Sequence, residues 1–122
     1  MPLIGDRVLD NGLTVLDTEA NRLDICPSEP STYSGATGTS LGYKLNPSID
    51  APADRVGGGR KVTVAAISDG TVIVTDTATH YAITDTANSR LLAAAPLSAS
   101  QGVTAGNTFT LTAFDIGIPD PV

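Results

Sequence analysis

Apolar positions along this chain follow first a helical and later a strand rhythm, with a long stretch between that follows neither. Leu9, Leu13, Leu16, Ala20 and Leu23 recur at spacings of four, three, four and three, which marks one face of a helix. Asp10 or Asn11 is placed to cap its start, and Asp17 and Glu19 fall on its wet face. A hairpin at Asn11-Gly12, between Val8-Leu9 and Leu13–Val15, is the rival, since Asn-Gly suits a type I′ turn. The helix is preferred because its apolar stripe persists over four turns. Arg22–Cys26 then alternates and reads as a first strand, stopped by Pro27.

Residues 27–60 hold Pro27, Pro30, Pro47 and Pro52, with glycines at 35, 38, 42, 57, 58 and 59. They show no helical period and only brief alternation around Leu41, Tyr43 and Leu45. So long a connection is unusual inside a compact domain and belongs to binding arms or linkers. Tyr33 and Tyr43 lie in it, and tyrosine favours contacts apolar at one end and wet at the other. The segment therefore reads as an arm that gains order against a neighbour, the alternative being a loose surface loop. Gly57-Gly58-Gly59 reads as a hinge between arm and sheet.

From residue 61 the period is two. Lys61–Ser68 predicts a strand, Asp69-Gly70 a hairpin turn, and Thr71–Thr77 the returning strand. Thr79–Thr84 predicts a third strand, Asp85–Ser89 a turn, and Arg90–Ala95 a shorter strand ending at Pro96. Residues 98–106 are polar and small. Asn107–Ile118 predicts one long strand whose apolar parity slips between Ala113 and Phe114, as at a β-bulge, and Pro119 and Pro121 end it. The expected fold is mainly β: an antiparallel β-sandwich or barrel-like domain with one short N-terminal helix and a long irregular arm. One domain spans 1–122, with helix and first strand at 8–26, arm at 27–60 and β core at 61–118.

Composition sharpens this picture. Thr, Ala and Gly supply about a third of the chain, and there is no Trp, so the core is aliphatic and small. The net charge of −6 and the scattered basic residues offer no stripe for phosphates, which argues against nucleic acid. No apolar run reaches membrane-spanning length, and the first residues lack a signal-peptide pattern. The single Cys26 excludes an internal disulfide and a multi-cysteine zinc site, in keeping with synthesis in a reducing cytosol. Its parity makes it a small buried filler.

Candidate chemistry is sparse. His80, the one histidine, sits mid-strand with no Gly-x-Ser-x-Gly elbow in the chain, so it reads as a hydrogen-bonded strand residue. Asp69 and Asp85 read as turn formers. No Asp-x-Asp-x-Asp-Gly calcium loop occurs, although a simpler loop calcium site stays open. Gly57–Lys61 fails the phosphate-loop spacing. The expectation is no catalysis, no cofactor and no resident metal.

Four stretches together resemble a group of small virion structural proteins of tailed bacteriophages and prophages. They are Ile25–Tyr33, Gly59–Val64, Ala78–Asp85 and Asn107–Pro121. The resemblance implies a β-rich particle component and transfers no catalytic residue. An acidic domain with a docking arm narrows this to a capsid decoration, or cement, protein on the head surface, synthesised in the bacterial host cytoplasm. Its expected partners are the major capsid protein and itself, as a homotrimer, with neither nucleic acid nor membrane. Arm residues Tyr33, Tyr43, Lys44, Arg55 and Arg60 are the expected partner contacts, together with the N-terminal residues. A tail or neck component is one alternative. A receptor- or glycan-binding fibre module, contacting sugar through loops 85–89 and 98–107, is the other.

Overall fold

The computed structural model describes residues 6–119. The expected fold class is shown: the chain is mainly β, its sheets are antiparallel and its helices few. The N-terminal residues proposed as contacts and the terminating Pro121 lie outside the described residues. The chain forms two compact units, one built from residues up to Glu19, Ser48–Ala66 and the segment from Thr112, the other from Ala20–Pro47 and Ile67–Leu111. In both units strand pairing joins pieces that are far apart in sequence.

In the first unit, α1 (Asp6–Glu19) begins ahead of the expected caps. Asp10 therefore lies inside the helix, and its carboxylate is used elsewhere. Leu13 and Leu16 are buried, as the stripe predicts, while Leu23 belongs to the following strand. We number the strands in chain order. This unit's sheet runs β3 (Ala53–Asp54), β4 (Arg60–Val64) and β9 (Phe114–Ile118), all antiparallel. Val62 and Val64 of β4 are buried, and α1 packs on β4 and β9.

The second unit holds a six-stranded sheet. Its order is β7 (Arg90–Val103), β6 (Asp76–Asp85), β1 (Arg22–Cys26), β2 (Gly42–Leu45), β5 (Ile67–Val72) and β8 (Thr108–Leu111). β1 has the bounds the alternation predicts, and Leu23 to Cys26 are buried on both of its faces. Burying each such Leu or Ile contributes about 1.5–3 kcal/mol. α2 (Tyr33–Gly38) is a short helix that sets the buried Ala36 against Cys26 and Ala82. Its N-cap is Thr32, whose side chain accepts the Gly35 N–H at 2.9 Å.

Several sequence expectations are corrected. Residues 27–60 are no irregular arm: they contain α2, β2 and β3, and β2 hydrogen-bonds to both β1 and β5. Four residues are too few for a period to register, and a backbone ladder leaves no trace in side-chain pattern. Asp69-Gly70 is not a hairpin turn but part of β5. Gly70 is needed because the Phe109 ring lies where a Cβ would stand. The strand expected at 71–77 ends at Val72, and β6 starts at Asp76.

Pro96 does not stop β7, which runs on to Val103. β7 is a sheet edge, with a partner strand on one side only, and proline within a sheet is tolerated at such edges. The slip near Ala113 is not a bulge within one strand. β8 and β9 belong to different sheets, so Phe109 and Ile116 report the parity of two separate surfaces. The Asp85–Ser89 turn is present, with Ser89 at φ 54°.

Candidate functional site

The five expected contact residues divide between the units. Tyr33 opens α2, and Tyr43 and Lys44 lie on β2 of the second unit. Arg55 and Arg60 flank the β3–β4 turn of the first.

On β2, backbone pairing puts Tyr43 beside Asp24 and Lys44 beside Leu23. Asp24 is fully buried, and its Oδ1 accepts from Arg22 Nε at 2.9 Å and from the Ser40 hydroxyl at 2.7 Å. The Arg22 guanidinium in turn lies over the Tyr43 ring, 4.6 Å from its centre. Lys44 reaches Asp69 at 3.0 Å, an exposed pair of small energetic weight. Tyr43 and Lys44 thus have partners inside the unit. Tyr33 is half-buried, and its carbonyl accepts the Thr37 hydroxyl at 3.1 Å.

The first unit gathers more charge. Arg60 Nε donates to Asp10 Oδ1 at 2.7 Å, and Arg60 Nη1 donates to Asp54. The hydrogen bond to Asp10 is the largest influence that raises the Arg60 pKa further above its ordinary value. Arg60 is therefore a clasp that ties helix, hairpin leg and sheet together. Lys61 pairs with Asp115 at 3.1 Å, and the Thr63 hydroxyl donates to the same carboxylate at 2.7 Å. Thr63 first, then Lys61, holds the Asp115 pKa below the usual carboxylate range.

Arg55, Val56, Lys61, Asp115 and Gly117 line a hollow of about 390 Å³. Val56, Asp115 and Gly117 were not legible as neighbours of Arg55. The pairing Lys61↔Gly117 is set by β4–β9 register, which no local pattern encodes. Val56 alone carried a signal, as an apolar residue directly before three glycines. Those glycines form the hairpin turn itself, not the hinge expected from sequence.

No family model, curated protein or solved structure matches this chain. Its chemistry must be argued from its own side chains. His80 Nδ1 lies 2.8 Å from the Thr79 hydroxyl, which donates to the Pro27 carbonyl at 2.8 Å. That hydroxyl has one proton, so the ring nitrogen is the donor to it. Among the described residues no cluster of three His, Cys, Asp or Glu side chains could hold a metal ion, and no helix is long and apolar enough to cross a membrane. Cys26 is buried, and burial, helped by Asp24, pushes its thiol up to about 11. The arrangement presents charged and apolar surface around a rigid turn.

Proposed function

We propose that the protein is a structural subunit of a tailed-phage particle, and that it decorates the outer head surface as a cement protein. One observation carries the reading. Parts of the four stretches that resemble phage particle proteins, distant in sequence, pair as neighbouring strands. Ile25 and Cys26 pair with Tyr81 and His80, and Arg60–Val64 pairs with Phe114–Ile118. The resemblance thus touches paired strands in both units, which supports a reading that spans the chain. The ion pairs of Arg22 with Asp24 and of Arg60 with Asp10 and Asp54 brace strands and helix, which supports a structural role.

On this reading the partners are the major capsid protein and further copies of the chain, arranged as trimers at local three-fold positions. Symmetric repetition multiplies contacts that are individually weak. Counting copies in purified particles by quantitative mass spectrometry tests it. A decoration protein is present in hundreds of copies; a dozen copies overturns the head assignment in favour of the neck or tail. Particles lacking the protein are expected to release DNA at lower temperature than complete ones.

A further inference from the structure

The β3–β4 turn says how such a subunit grips its partner, an inference that rests on the phage-particle reading above. Gly57, Gly58 and Gly59 have φ of 92°, 104° and 91° in succession, a left-handed run that side chains rarely tolerate. The turn is nonetheless fixed. Arg55 N–H donates to the Gly59 carbonyl and Gly58 N–H to the Arg55 carbonyl, both at 3.1 Å, and Arg55 Nη1 donates to the Gly58 carbonyl at 3.0 Å. The Arg55 stem lies on Gly117 of β9, where a Cβ would come within 2.9 Å of its Cδ. Below the turn, Arg60 clamps the legs to Asp54 and Asp10.

What this braced turn holds out is Val56, 93% exposed, against 55% for Leu45 and less for the other exposed large apolar residues described. A lone exposed apolar side chain is ordinary. A valine raised on three left-handed glycines and braced from two sides is not what a solvent loop requires. Its ordering cost is already met before binding, which is what preorganisation means for affinity. Beside it lies the hollow with two cations, Arg55 and Lys61, and one carboxylate, Asp115, in a chain of net charge −6. Gly58 takes one of the five donors of the Arg55 guanidinium.

We propose that Val56 and this hollow form a docking point for another protein, the coat of the particle. Val56 enters an apolar pocket of that coat, and a carboxylate on the pocket's rim enters the hollow towards Arg55 and Lys61. Local charge favours a chain that presents a carboxylate at this point: Lys61 is paired with Asp115, and Arg55 leaves the hollow one positive charge in surplus.

The test is add-back to purified particles that lack the protein, with bound protein read by co-sedimentation. Wild type, Val56→Asp and Val56→Ile are compared. Because Val56 touches little, all three are expected to fold alike, which circular dichroism checks. Val56→Asp is expected to weaken binding about tenfold or more, the loss of one buried valine plus repulsion from the rim, while Val56→Ile binds like wild type. Val56→Asp binding within twofold of wild type overturns the docking point. So does a result in which that variant breaks an oligomer of the free protein yet still coats particles, since the tip then serves self-association. Wild type that fails to bind at all overturns the head-decoration reading itself, and this inference with it.

Discussion

The ring of Phe109 on β8 lies over the bare backbone of Gly70 on β5, in the space that a Cβ would occupy. Phe109 is the largest fully buried side chain of the described residues, and Gly70 is buried beneath it. Small residues on one strand make room for an aromatic on the next. A chain with only two Phe and no Trp depends heavily on such a contact.

Gly70→Ala is therefore expected to overpack the β5–β8 pair and to cost about 1–3 kcal/mol, read by urea denaturation. Phe109→Ala opens a cavity at the same place and is expected to cost about 3–5 kcal/mol. The two losses should not add, since both act on one contact. A fully additive double variant would mean that the ring does not rest on Gly70.

Asp24 makes a second prediction. It is fully buried beneath Arg22 and Ser40, whereas the Arg22 side chain keeps 24% of its surface in water. Asp24→Ala is expected to destabilise by about 2 kcal/mol or more, because Arg22 loses its partner and a cavity opens. Ser40→Ala removes one hydrogen bond and is expected to cost about 1 kcal/mol. An Asp24→Ala protein as stable as wild type would remove the pair from the list of stabilising contacts.

The acid limb of stability follows from Asp85 and Asp115. Asn88 donates to Asp85 at 2.7 Å, and that side-chain bond, ahead of the Asn88 and Ala87 backbone bonds, holds the Asp85 pKa below its ordinary 3.8. Asp115 is lowered by Thr63 and Lys61. A carboxyl with a depressed folded pKa stabilises fully above its unfolded value and loses that contribution as pH falls through the folded one. Asp85→Asn and Asp115→Asn are thus expected to be less stable than wild type at pH 7. The difference should shrink as pH falls below about 4, measured by denaturation at both ends. A gap that widens with acid would reverse the sign and refute the assignment.

Cys26 reports on α2. Its thiol is buried against Ala36 and Ala82, and burial raises its pKa to about 11. At pH 8 the native protein is expected to resist a thiol reagent such as dithiobisnitrobenzoate, and to react promptly in denaturant. Ala36→Gly loosens the cover and should speed native labelling. Prompt labelling of the wild type without denaturant would mean that α2 does not cover the strand.

The helix face through Leu13 and Leu16, the strand Arg22–Cys26 and the mainly β class were legible from the sequence alone. Each leaves a mark within a short window of sequence, in the spacing and type of its apolar residues, although β1 itself is held by distant strands. Asp69-Gly70 and Gly57–Gly59 show where that record ends. Both looked like breaks in structure, yet one glycine seats a ring from β8 and the other three form a braced turn beside β9. The same letter served two purposes that only the partner strand distinguishes. Tertiary structure alone decided that β8 and β9 part into different sheets, that β2 fills the centre of one of them, and that Arg55 meets Gly117 and Lys61 meets Asp115. These are matters of register between distant strands. Register is fixed by which faces bury together once the chain has closed its loops, and no window along the sequence contains that information.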